Sequence, residues 1–195
     1  TEGRGPNEFT VVHDVDIDRN NQNIYLVDGW QKRFYVYSES GQFIRTFKTP
    51  LYAGIGFWFT EDGILCYNMN QFANVENSYS LIDTTGRILK NFPNKYPWHL
   101  EQHAGTYVFQ FENIFYRFNN QLFKKEVYSD TIYVFNNMDF KPHLIIEIGN
   151  RLITSTARSN SSPEQIRDNF ITPINLFEFG NYIYYEFIVN INGHG

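Results

Sequence analysis

Cysteine is nearly absent from this 195-residue chain, Cys66 being the only one. No intrachain disulfide can form, and cysteine usage leaves the redox compartment undetermined. Within Ile64-Leu65-Cys66-Tyr67 the thiol reads as a small buried hydrophobe. Basic residues are short too, 16 against 21 acidic, for a formal charge of −5. Binding nucleic acid requires a clustered basic face, so that partner class is excluded. No apolar run approaches the ~20 residues of a membrane-spanning helix. The chain opens at Thr1 with neither Met nor a charged-then-apolar leader, which reads as a trimmed or processed product. Also missing are a Gly-x-Ser-x-Gly elbow, a phosphate-cradling loop and a Cys/His nucleophile arrangement. Gly3-Arg4-Gly5 precedes a strand rather than a helix, so Arg4 is expected to brace a junction between sheets.

Aromatic residues, by contrast, are abundant: 19 Phe and 14 Tyr, many beside Ile or Val. Such residues suit a pleated, half-buried surface, which points to an all-β fold. The length allows one sizeable core without requiring a second domain.

A repeat organises the pattern. Ser38-Glu39-Ser40-Gly41-Gln42-Phe43-Ile44-Arg45-Thr46-Phe47 recurs as Asp83-Thr84-Thr85-Gly86-Arg87-Ile88-Leu89-Lys90-Asn91-Phe92, each glycine allowing a tight turn between strands. Working back from this anchor, strands are expected at 11–18, 23–28, 33–38 and 42–48. The second unit repeats them at 54–59, 63–68, 78–83 and 87–92. A looser third unit has strands at 115–119, 122–127, 131–136 and 143–148, and a fourth begins at 175–179 and 182–189. Four short antiparallel strands every ~40–50 residues is the signature of a β-propeller blade. The expected blades span 11–48, 54–92, 106–149 and, in part, 173–195, within one incomplete propeller domain of residues 1–195. One helix is expected from Ser162 to about Phe170, opening on Ser162-Pro163-Glu164. Blade edges left open would favour homo-oligomerisation.

Several segments resemble a known family. Gly3-Arg4-Gly5-Pro6-Asn7-Glu8-Phe9, Asp14-Val15-Asp16-Ile17-Asp18, Ile24-Tyr25-Leu26-Val27-Asp28, Arg33-Phe34-Tyr35-Val36-Tyr37 and Gly41-Gln42-Phe43-Ile44 match an NHL-type repeat. More specifically, the chain resembles six-bladed β-propeller proteins of Gram-negative gut bacteria, often exported as lipoproteins. Ser129-Asp130-Thr131-Ile132-Tyr133 followed by Ile146-Glu147-Ile148-Gly149 is similar to a second block of those proteins. Family members are about twice as long. The resemblance implies an exported, periplasmic or cell-surface module with little chemistry to carry over.

Propeller ligands usually meet the face formed by the loops between second and third strands and between blades. Here that face would carry Trp30, Lys32, Tyr52, residues 70–77, Trp98, His99 and residues 128–130. Aromatic rings with amide side chains suit carbohydrate or peptide, whereas the alternative is that Trp30 and Trp98 wedge blades together. Asp14, Asp16 and Asp18 alternate along the innermost strand and share one side, where carboxylates can hold calcium. The alternative is that Asp18 caps a turn while Asp14 and Asp16 accept amides of a neighbouring blade. An EF-hand is excluded, because Arg19 and Tyr25 stand where Gly and an acid belong. His99 and His103 are four apart, but Leu100 replaces the glutamate of a zincin and no helix surrounds them. Asn160-Ser161-Ser162 is a chance glycosylation match.

Two functions follow. One is a non-catalytic binding module for an unknown small molecule, glycan or protein. The other is an NHL-like enzyme of lyase or lactonase type with a channel-bound metal, by analogy of fold alone.

Overall fold

The computed structural model describes residues 8–49, 56–70, 73–99 and 107–190. The chain divides into two compact units. The first carries two four-stranded antiparallel sheets, each in sequential order. β1 (Asp14–Ile17), β2 (Ile24–Asp28), β3 (Arg33–Tyr37) and β4 (Phe43–Lys48) form one. β5 (Gly56–Thr60), β6 (Gly63–Tyr67), β7 (Asn77–Ile82) and β8 (Ile88–Pro93) form the other. Each of these strands falls within three residues of its expected bounds at either end. The 45-residue repeat extends to irregularities, since register shifts fall between Val36 and Tyr37 in one sheet and between Leu81 and Ile82 in the other.

The core of this unit lies between the two sheets. Tyr25, Val27, Phe34 and Val36 meet Phe57, Phe59, Ile64, Cys66 and Ile82, all buried, with Phe47 packed against them. The Phe34 ring stacks on Phe47 at 5.0 Å and meets Phe57 edge-on at 4.9 Å. Offset and edge-on pairs are the favoured geometries for such rings, which explains how so aromatic a sequence packs. Cys66 is buried as expected, and desolvation pushes its thiol well above the ordinary value.

The second unit holds a third four-stranded sheet, β9 (Asn113–Phe118), β10 (Gln121–Glu126), β11 (Thr131–Asn136) and β12 (Asp139–Ile145). It also holds a two-stranded one, β13 (Thr172–Phe179) and β14 (Tyr182–Ile188). Asn119 and Asn120 both take positive φ in the two-residue turn between β9 and β10, as a tight hairpin demands. β12 corrects the expected strand at 143–148. Asn137 and Met138 turn the chain back with φ of 50° and 54°, so β12 starts four residues earlier. Pro142 fits because β12 lies at the sheet edge.

The expected helix is present as α2 (Pro163–Asn169), closed by a capping box between Ser162 and Gln165. The expectation of a single helix needs correcting. α1 (Ser155–Asn160) precedes α2, capped by the Thr154 side chain accepting from the Ala157 amide, and a 3-10 turn spans Gly149–Arg151. Among the described residues, no helix is long and apolar enough to cross a membrane. The fold class is all-β, built from propeller-type blades of four antiparallel strands.

Candidate functional site

The turn after β2 is fixed from below by Asp28, which has 0% exposure. Its Oδ2 accepts from the amides of Thr10 (2.6 Å) and Val11 (3.3 Å), and its Oδ1 from the amide of Gln31 (2.9 Å). Burial alone would raise this carboxyl. The amides of Gln31, Thr10, Val11 and Trp30 outweigh it and hold the group below the ordinary carboxylate value. Gln31 is itself tied down: its Nε2 donates to the Glu8 carbonyl and to Thr10 Oγ1, and its Oε1 accepts from the Tyr35 hydroxyl. His13 Nδ1 accepts the Gly29 amide at 3.0 Å. On this braced turn Trp30 stands 77% exposed, beside Lys32 in the left-handed region at φ 54°.

Asp14 and Asp16 point to the neighbouring sheet. Asp14 Oδ2 accepts the Phe57 amide and Asp16 Oδ2 the Phe59 amide, each at 2.9 Å. Both acceptor distances span 43 residues of sequence. Their Oδ1 atoms accept the amides of Val15 and Ile17. Burial raises the Asp14 carboxyl, which the Phe57 and Val15 amides oppose and the Asp16 charge reinforces. Asp18 caps its turn, accepting from the Asn20 amide and the Asn21 side chain. Of the two readings of this acidic strand, backbone capping is therefore the geometry found. Among the described residues, no group of three or more His, Cys, Asp or Glu is arranged to hold a metal ion.

In the second unit Trp98 is buried at 3% exposure, with the Arg158 guanidinium 4.1 Å from its ring centroid. Arg158, on α1, also pairs with buried Glu112 and donates to the Tyr128 hydroxyl, anchoring the helix to the loops before β9 and after β10. His99 is exposed, and its amide donates to Ser159 Oγ. Tyr52 and His103 lie outside the described residues. Asn70 is buried and accepts the Val75 amide, and the Ser129 carbonyl accepts from Lys125 Nζ at 2.9 Å.

Two further polar clusters had no reading in the sequence. Lys124 and Lys125 are consecutive on β10 and buried at 4% and 1% exposure. Burial pushes both ammonium groups down to about 8, opposed for Lys124 by Glu126 at 2.9 Å. The second cluster centres on Glu178 of β13, which accepts from Tyr116 Oη at 2.5 Å and contacts His143 Nε2 at 3.0 Å. For the first cluster the available signal was an uninterrupted Lys-Lys-Glu at the end of a strand, because alternation alone would bury at least one of the three charges.

The sequence profile of the DUF4934 family, a domain of unknown function, matches residues 1–195. The chain belongs to the DUF4934 family. No curated protein matches it in sequence. Among solved structures, the DUF4934 chain is similar to a Bacteroides fragilis protein assigned as exported, with a TM-score of 0.69 and 16% identity over 96% of this chain and 55% of that one. It is also similar to a DUF4221 family member from Bacteroides vulgatus, with a TM-score of 0.56 and 12% identity over 90% of this chain and 56% of that one. The DUF4934 chain thus spans just over half the length of each. At these identities the likeness speaks to the fold alone. A catalytically inactive virginiamycin B lyase from Staphylococcus aureus, with a TM-score of 0.45 and 13% identity over 90% of this chain and 62% of that one, is too distant to carry an argument.

Proposed function

We propose that this DUF4934 chain is part of a six-bladed, NHL-type propeller of the kind found in Gram-negative gut bacteria. It acts as a non-catalytic binding module in the periplasm or at the cell surface, where a lipoprotein anchor would suit it. The observation that carries the reading is Trp30, 77% exposed on a turn whose every neighbour is pinned. A large ring on a fixed turn gains contact area on binding while the backbone beneath it has little conformational freedom left to lose. Lys32 on the same turn adds a cation at the rim of that contact. Carbohydrate or peptide suits such a surface, because a sugar face or an apolar side chain stacks on indole. The Bacteroides fragilis neighbour, assigned as exported, supports the location.

The test is a glycan and peptide array probed with the wild-type chain and with Trp30→Ala. The substitution is expected to abolish a hit, a loss of at least about tenfold in affinity, while urea unfolding stays within about 0.5 kcal/mol of wild type. A hit that Trp30→Ala binds equally well would sink the reading.

A further inference from the structure

The three four-stranded sheets share one backbone bond, made where the second-to-third loop meets the end of the fourth strand. The Lys32 carbonyl accepts the Thr49 amide at 2.9 Å, the Glu76 carbonyl the Asn94 amide at 2.8 Å, and the Asp130 carbonyl the Ile146 amide at 2.8 Å. That bond makes the neighbouring positions equivalent, and their charges differ. In the second and third sheets the accepting residue is acidic, and the cross-strand pair beside it, Asn77 with Pro93 or Thr131 with Ile145, is uncharged. In the first sheet the accepting residue is Lys32, and the pair beside it is Arg33 with Lys48. Directly opposed residues of an antiparallel pair stand on one side of the sheet, and like charges placed so repel. Phe34 and Phe47, next along the same strands, take the other side, in the core. Neither Arg33 nor Lys48 is offset by an ion pair among the described residues. Asp28 lies opposite Arg33 on β2, but its oxygens are taken by the Thr10, Val11 and Gln31 amides. A chain of net charge −5 thus keeps an uncompensated cation pair at the end of the sheet that carries Trp30.

We infer that the ligand of the Trp30 face is an acidic glycan, whose sugar ring stacks on the indole while a carboxylate or sulfate is held by Arg33 and Lys48. A guanidinium fork matches either anion with two parallel hydrogen bonds, and an ammonium beside it adds a point charge. The bound anion also relieves the repulsion that the free chain carries between the two cations. An acidic peptide suits the place less well. Peptide and protein side chains draw most of their affinity from closed, desolvated pockets, whereas an indole 77% exposed offers an open, flat face that a sugar ring can cover. The inference rests on Trp30 as the binding surface and adds the charge of what binds there.

The experiment is equilibrium binding of the chain to polygalacturonate and to dextran sulfate, each beside its uncharged counterpart, methyl-esterified polygalacturonate or plain dextran. Poly-glutamate serves as the acidic peptide. At least one anionic glycan is expected to bind about tenfold or more tighter than its counterpart, and more weakly as salt rises. Arg33→Gln, Lys48→Gln and Trp30→Ala should each weaken that binding by at least about tenfold, with Lys48→Arg retaining most of it. The urea midpoints of the two glutamine variants should stay at or above that of wild type, because each removes a repulsion. An uncharged glycan bound equally well through Trp30 would overturn the inference and leave Trp30 as the surface. Anionic binding that survives Trp30→Ala would overturn both. Poly-glutamate bound as tightly as the glycans would give the cation pair to a peptide and overturn the inference. Binding of neither anionic glycan would overturn it too, with the Trp30 reading then decided by the neutral members of the array.

Discussion

Replacing Asp14 and Asp16 by alanine tests what joins the first two sheets. β5 is the first strand of its sheet, and the amides of Phe57 and Phe59 face away from β6 toward β1. Phe57 is 2% and Phe59 8% exposed, so water has little access to either residue once the carboxylates are gone. A hydrogen bond to a charged acceptor contributes about 1.5–3 kcal/mol, and an orphaned buried donor costs about 1–3. Asp14 sits at the low end of that range, because burial already disfavours its charged form. We therefore expect about 1–2 kcal/mol for each single substitution. The two carboxylates repel each other, as the influence of Asp16 on Asp14 shows. Removing the first relieves that repulsion and the second has none to relieve, so the double variant should lose more than the sum of the singles. Asp14→Asn keeps an acceptor without the charge and should fall between wild type and alanine.

The assay is urea unfolding followed by both fluorescence and circular dichroism, with coincident transitions as the condition for using a single free energy. A double alanine variant within about 0.5 kcal/mol of wild type would refute the reasoning. It would mean that water or a relaxed β5 satisfies both amides at no cost.

Two other expectations use the same assay. Gly41 and Gly86 occupy the same repeat position at φ +79° and +92°, but a Cβ on Gly41 meets nothing within 4 Å, whereas one on Gly86 lies 2.4 Å from the Lys48 carbonyl oxygen. Gly41→Ala should cost about 1 kcal/mol from backbone strain alone, and Gly86→Ala at least about 2 kcal/mol more; equal losses would mean that β4 yields freely. Lys124 and Lys125 have folded values near 8, below the ordinary 10.5, so from pH 8 to 10.5 the unfolded chain holds protons the folded one has lost. Stability should rise through that window by up to roughly 3 kcal/mol per lysine. Burial raises Tyr96 and Tyr185 to about 12, so stability should fall again above pH 10, and a monotonic decline from pH 8 to 10 would contradict the buried lysines.

The strands of the first unit were legible because hydrophobic alternation, turn glycines and a fixed offset all agree there, as they do at Gly41 and Gly86. Legibility failed where side chains depart from those habits. Asn137 and Met138 adopt left-handed backbone without glycine, so nothing in the sequence marked the start of β12. α1 reads Ser-Thr-Ala-Arg-Ser-Asn, with no apolar stripe. It is held by long-range contacts, Arg158 with Glu112 across 46 residues and with Tyr128 across 30, and no local pattern contains those. The acidic strand was half legible. Alternation put Asp14 and Asp16 on one side, but their partners, two backbone amides 43 residues away, have no sequence signature.

That last point bears on any cation at Asp14 and Asp16. Each carboxylate already has an amide on both of its oxygens. An ion entering there would share those oxygens with the amides or displace them, and displacement leaves Phe57 and Phe59 with buried donors. Metal binding and the junction of β1 with β5 are therefore linked, and the linkage has a sign. A cation that keeps the amide bonds adds its binding energy to stability, with an unfolding midpoint that climbs with metal concentration. A cation that breaks them binds weakly, because part of its affinity is spent on opening the junction. Calcium titration followed by unfolding separates the two, and the Asp14→Asn variant shows whether the charge or the acceptor is what the ion needs.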